Sequence, residues 1–241
     1  MNIGVVPARL ASKRLPKKIL ADLDGKPMVA HTMEQVLKAQ KLDKVILAID
    51  SEETLDALKD FGFDMVMTSK DHCSGTDRVT EVVKKNENAE VIINIQGDEP
   101  LIDTNIIDDL VGLFEDKDVN MGTAISTKLT VDDLLDANVV KAIIDQDKNV
   151  IDFKRNINDS EIGGLYRHIG IYGFRRNTLF QFSMLDQSPR EQKRKLEQMR
   201  ALDNGLPIRA TITSFDSFAV DTQDDLNKVL QIMGAKEIGL V

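Results

Sequence analysis

The 241-residue chain is 42% apolar and sets 31 basic against 40 acidic residues, a formal net charge of −9. That length buries a substantial core as one large domain or two small ones, and the acidic balance excludes a surface-wide footprint for nucleic acid. The single cysteine, Cys73, excludes an intrachain disulfide and a cysteine-rich zinc site, and reads as a small apolar thiol.

From the N-terminus, Asn2–Val6 is a short apolar run of buried-strand type, followed at once by the basic, proline-stiffened "PARLASKRLPKK" (Pro7–Lys18). The early turn to basic residues argues against a secretory leader. No run approaches the roughly 20 apolar residues of a membrane span, so a cytosolic chain without membrane insertion is expected. "PMVAHTMEQVLKAQ" puts Met28, Val29, Met33, Val36 and Leu37 at helical spacing, with Pro27 suited to the first turn. Asp43–Ile49 is a strand, "SEETLDALKDFG" a helix capped by Ser51 and stopped by Gly62, and "DMVMT" a strand again. "TDRVTEVVKKN" is helical, Glu90–Ile95 is the most β-branched run and so a central strand, and "DTNIIDDLVGLFED" is another helix. This alternation predicts an α/β fold with a doubly wound, mainly parallel sheet.

The second half has a different grain. "NVVKAIIDQDKNVIDFKRN" reads as two strands joined by a turn at Gln146–Asn149, and "GLYRHIGIYGF" as a strand through Ile169–Phe174. "SPREQKRKLEQMRALDNG" reads as one helix, with Ser188 as cap, Pro189 at its first position, Glu191 completing a capping box and Gly205 as its stop. "PIRATITSF" is a strand, and "TQDDLNKVLQIMG" a final helix capped by Thr222. With no repeat and no linker, one domain over residues 1–241 is expected, with an inserted β-rich lobe at about 126–180.

In open parallel sheets, ligands bind beyond the carboxyl ends of the strands, and the chemically loaded segments fall there. Arg9, Lys13, Arg14, Lys17 and Lys18 surround two prolines, an arrangement suited to a polyphosphate and its leaving pyrophosphate. Neither a Walker P-loop nor a dinucleotide glycine fingerprint is present, which disfavours a NAD-binding oxidoreductase. In "NIQGDEPLI", Gly97 lets the chain turn, and Asp98 stands beyond the strand, placed to hold Mg²⁺ against phosphate. Asp221, closing "SFAV" before the last helix, is a matching acid. Ser74, Gly75 and Thr76 open a helix whose N–H groups could face a base or phosphate.

Taken in order, "PARLASKRLPKK", "DGKPMVAHT", "DHCSGTDR", "NIQGDEPLI", "NVVKAIID", "YRHIGIYGF", "KLEQMRAL" and "VDTQDDL" resemble one known family over nearly the whole chain. It is the family of cytidylyltransferases that activate 3-deoxy-manno-octulosonate (Kdo) as its CMP derivative for lipopolysaccharide synthesis. The resemblance implies a Rossmann-like nucleotidyltransferase domain, Mg²⁺, CTP and a Kdo-type sugar acid as substrates, and a homodimer packed across the β-rich lobe. It implies a triphosphate gripped by Arg9, Arg14 and Lys18, and a nucleotide pocket completed by Pro7, Ala8, Ser74, Gly75 and Arg78. It further implies Mg²⁺ on Asp98 and Asp221, and a sugar acid met by Gln96, Arg155, His168, Tyr172 and Glu197. Arg14, Lys18, Asp98 and Asp221 would then be the catalytic set.

The chain departs from the family at "IDFKRNIN", where Lys154 replaces a serine and an Ile-Pro pair is absent. Kdo, its 8-amino analogue and other sugar acids therefore stay open as substrates. A nucleotidyltransferase for a sugar 1-phosphate and a catalytically inactive nucleotide-binding regulatory domain are the other readings.

Overall fold

The computed structural model describes residues 1–157, 164–216 and 218–237. Strand β1 (Asn2–Ala8) leads into the basic loop, and a short hairpin of β2 (Asp22–Leu23) and β3 (Lys26–Pro27) precedes α1 (Met28–Val36). The first half continues with β4 (Lys44–Ile49), α2 (Glu52–Leu58), β5 (Met65–Met67), α3 (Gly75–Lys84), β6 (Val91–Asn94) and α4 (Thr104–Gly112). After β7 (Met121–Ser126) and α5 (Val131–Leu135) come β8 (Lys141–Ile144), β9 (Val150–Lys154) and β10 (Leu165–Arg175). The chain closes with α6 (Arg176–Ser183), α7 (Pro189–Arg194), α8 (Met199–Asp203), β11 (Arg209–Thr213) and α9 (Gln223–Glu237).

The sheet runs β11-β7-β10-β6-β1-β4-β5. Its described pairings are parallel except those of β10, which is antiparallel to both β6 and β7. Successive residues of β1 point to opposite faces, so Ile3 and Val5 enter one layer and Val6 and Ala8 the other. One layer is closed by Met33 and Val36 of α1, Leu58 of α2, and Ile106, Ile107 and Leu110 of α4. The other is closed by Val79, Val82 and Val83 of α3, Leu179 and Phe182 of α6, and Met199 of α8. Each such side chain is worth about 1.5–3 kcal/mol against exposure, which is why the continuous apolar runs become central strands. The doubly wound α/β reading is what the structure shows.

Within the β-rich stretch at about 126–180, β8 and β9 form a hairpin laid along the first residues of β10, and β10 runs on into the main sheet beside β6. One expectation is corrected. The helix expected over 188–205 is broken in two. Ser188 and Glu191 do make the capping box, but Lys195 adopts a left-handed backbone (φ 55°) and α7 ends there. Nothing in the local pattern marks this stop. It is imposed by Arg155, whose guanidinium donates to the carbonyls of Arg194 (3.0 Å) and Lys195 (3.2 Å) at the helix's open end. Among the described residues, no helix is long and apolar enough to cross a membrane.

Candidate active site

Three segments meet beyond the carboxyl ends of β1 and β6. Gly97 makes the meeting possible: a Cβ there would lie 3.2 Å from the Pro7 carbonyl oxygen, too close for most side chains. Asp98 follows on this tight turn. Its carbonyl accepts the Val220 N–H at 2.9 Å, so the backbone itself brings Asp221 beside Asp98. The α9 end of that segment is anchored by Leu226 and Val229, packed with Leu23, Met28 and Val220. Thr222 caps α9, accepting from the Asp225 N–H at 3.2 Å.

The two acids share one cation. Lys18 Nζ donates to Asp98 Oδ2 at 2.5 Å and to Asp221 Oδ1 at 2.8 Å, and Arg14 reaches Asp221 Oδ2 at 2.8 Å. Burial favours the neutral carboxyl at Asp221, but Lys18 and then Arg14 outweigh it and hold this group below the usual carboxylate range. Burial likewise opposes the charge on Lys18, and the charges and hydrogen bonds of Asp98 and Asp221 override it, so its pKa is raised. Lys17, just before, has a left-handed backbone (φ 51°) and turns its ammonium away to Glu53. Arg9 and Lys13 have no ion pair among the described residues, although both line the cavity.

That cavity, of about 460 Å³, is lined by Pro7, Arg9, Arg14 and Lys18 on one side and by Ser74, Gly75, Arg78, Gln96, Asp98 and Asp221 on the other. Ten of the expected site residues are thus brought together. Ala8 is fully buried as the last residue of β1 and does not line it. Cys73, read from the sequence as a small apolar thiol, is exposed and stands on the cavity wall.

Beside the cavity lies a second, drier group, joined to it through the start of α3. Ser74 caps this helix by accepting from the Asp77 N–H, and Asp77 returns the bond. Thr76 Oγ1 donates to Glu197 Oε2 at 2.8 Å. Burial raises the Glu197 pKa, against the hydrogen bonds from Thr76 and Ser74. With two carboxylates already at this helix end, the basic loop is the better seat for phosphate. Tyr172 OH and Thr123 Oγ1 each lie 3.1 Å from His168 Nε2. Burial pushes the His168 pKa down to about 3, so the ring is neutral at physiological pH. Burial, with Glu197 nearby, raises the Tyr172 pKa well above its usual value. Two oxygens of this group, Glu197 Oε1 and Asn94 Oδ1, are buried without a hydrogen-bond partner among the described residues, although Glu197 Oε1 lies 3.7 Å from Arg200 Nη2 as an ion pair.

Arg155 is not brought to either group. Its three donor nitrogens go to backbone carbonyls of Ala137, Arg194 and Lys195. The altered segment's last residue, Asn158, lies outside the described residues. Arg78, expected to touch nucleotide, is buried in the wall and ion-paired with Asp50 at 3.0 Å. Sequence reasoning missed Asp50, Asn94 and the side-chain bond of Thr76, which depend on partners 28, 18 and 121 positions away.

A doubly wound sheet with a cation-lined cavity and paired acids beyond its strand ends defines a nucleotidyltransferase. Residues 3–212 match the cytidylyltransferase family model. The chain is 40% identical to the 3-deoxy-manno-octulosonate cytidylyltransferase of Geobacter sulfurreducens, over 96% of this chain and 99% of that one. It is 42% identical to the protein of the same name from Chloroherpeton thalassium, over 96% and 97%. A solved structure of CMP:2-keto-3-deoxy-manno-octonic acid synthetase complexed with CTP superposes with a TM-score of 0.91, at 33% identity over 98% of this chain and 99% of that one. The chain belongs to the 3-deoxy-manno-octulosonate cytidylyltransferase family.

Proposed function

We propose that the protein transfers CMP from CTP to the anomeric hydroxyl of Kdo and releases pyrophosphate, supplying an activated sugar for lipopolysaccharide synthesis. The observation that carries this reading is the pair of acids, Asp98 and Asp221, gathered on one ammonium at the wall of a cavity that Arg9 and Lys13 also line, both without an ion pair among the described residues. The CTP-bound relative supports the choice of nucleotide.

In the reaction, the anomeric oxygen forms a bond to the α-phosphorus and gives up its proton. The bond from that phosphorus to the bridging oxygen breaks, and pyrophosphate leaves. Arg9, Lys13 and Arg14 hold the triphosphate and neutralise the departing charge. Two carboxylates converging on one cation also fit Mg²⁺, which is commonly held by one or two carboxylates together with substrate phosphates. Asp98 and Asp221 would hold it, and bound there it would supply further charge neutralisation at the phosphate oxygens. Gln96, His168, Tyr172 and Glu197 read the sugar. A neutral imidazole and a protonated phenol can each donate to or accept from hydroxyls, and the oxygens of Glu197 and Asn94 that lack a hydrogen bond among the described residues call for donors.

The same reading has the protein act as a homodimer in the cytoplasm. Val131 and Leu135 of α5 and Ile151 of β9 are exposed apolar side chains around the hairpin, and they support an interface there.

Cys73 gives a direct test of where the nucleotide sits, since the chain has one thiol and it stands on the cavity wall. CTP should slow alkylation of Cys73 by at least about fivefold at saturation, and Kdo alone should not. Equal labelling with and without CTP would place the nucleotide elsewhere.

A further inference from the structure

The basic loop raises a problem of its own. Arg9 and Lys13 line the cavity with no carboxylate among the described residues to orient them, so the backbone must fix where their charges lie. Residues 9–16 belong to no helix or strand. Among the described residues they make one backbone hydrogen bond, from the Leu10 N–H to Asp50 Oδ1 at 2.9 Å. The prolines stiffen this loop, and that bond ties it to the rest of the fold.

Asp50 is built for the task. It follows directly on β4, which is paired with β1, and it is 7% exposed. Its other oxygen, Oδ2, accepts from Arg78 Nη2 at 3.0 Å, and Arg78 is itself 3% exposed on α3. The second arm of Arg78 donates to Thr68 Oγ1, whose hydroxyl donates to the Ile49 carbonyl at 2.7 Å. Asp50 therefore cannot rotate without stranding a buried guanidinium. Both its oxygens are committed, one to the rigid wall and one to the loop.

We propose that Asp50 is the positioning residue of the phosphate loop: held by Arg78, it pins Leu10 and so fixes where Arg9, Lys13 and Arg14 present their charges. The proposal rests on the reading of that loop as the seat of the CTP triphosphate. It gives Arg78 a role in the wall rather than on the ligand.

Asp50→Asn tests it. An asparagine has one acceptor oxygen, and the charged guanidinium takes it, which turns an amide N–H₂ toward the Leu10 N–H. Leu10→Pro deletes the same N–H from the loop side and leaves the buried pair intact, so the test survives if the first variant folds poorly. The readout is the dissociation constant for CTP against that for CMP, which lacks the β- and γ-phosphates. Both loop variants should weaken CTP binding roughly tenfold or more and CMP binding by less than about twofold. Equal losses for CTP and CMP in the loop variants, or no loss, would overturn the positioning role. A wild-type protein that binds CTP no better than CMP would remove the loop reading and this proposal together.

Discussion

Asp98→Asn should lower turnover by about three orders of magnitude while the protein stays folded and still binds CTP. The substitution keeps the shape of the side chain and the backbone bond from the Val220 N–H to the residue-98 carbonyl, so the alignment of Asp221 survives. Lys18 retains Asp221 as a partner at 2.8 Å. What is lost is one of two formal charges at the point where a cation and the phosphate must be held together. Losses of roughly 10²–10³ accompany removal of a single preorganised electrostatic group, and the Mg²⁺ role proposed for Asp98 puts the expected loss at the upper end. Steady-state pyrophosphate release, with CTP binding measured alongside, checks this. Turnover within tenfold of the wild type would remove Asp98 from the reacting centre.

Lys18→Met carries the second large effect, and its signature differs. The side chain is only 14% exposed and lies between two acids, so methionine fills the space and leaves Asp98 and Asp221 facing each other without a counter-ion. Two like charges brought together in this way destabilise the empty protein, an effect softened by the partial exposure of Asp221. Turnover should fall by roughly 10²–10³, because the cation nearest both acids and the phosphates is gone. The melting temperature without nucleotide should fall as well, and added Mg²⁺ should restore more of it than the same Mg²⁺ gives the wild type. Equal responses of the two proteins to Mg²⁺ would mean that the ammonium and the divalent ion do not compete for one place.

Much of this was legible before any coordinates. The strands of the parallel core declare themselves because strands buried on both faces read as near-continuous apolar runs, as Val91, Ile92 and Ile93 of β6 show. The basic loop and Asp98 were visible because charge directly after such a strand has no structural excuse. Asp221 was harder, being a lone acid before a helix, and only its tie to Asp98 gives it meaning.

What stayed hidden depends on tertiary partners. Sheet order is not written in chain order, so nothing local says that Leu165–Arg175 inserts between β6 and β7 and draws the β-rich stretch into the main sheet. The break at Lys195 is invisible because Lys-Leu-Glu-Gln continues a good helical pattern. An arginine 40 positions away decides it. The main-chain carbonyls that Arg155 donates to are equally invisible in its place in the family motif. Arg78 is the converse: a cation in the expected place whose charge is already answered by Asp50.

The central claim is a chemical one, and the most direct measurement is pyrophosphate release from CTP and Mg²⁺ with Kdo, its 8-amino analogue, a neuraminic acid and a sugar 1-phosphate as separate acceptors. The account predicts release with Kdo, matched mole for mole by a CMP-sugar, and none with the sugar 1-phosphate. Release with the sugar 1-phosphate alone, or silence with every acceptor in protein that binds CTP, would contradict it.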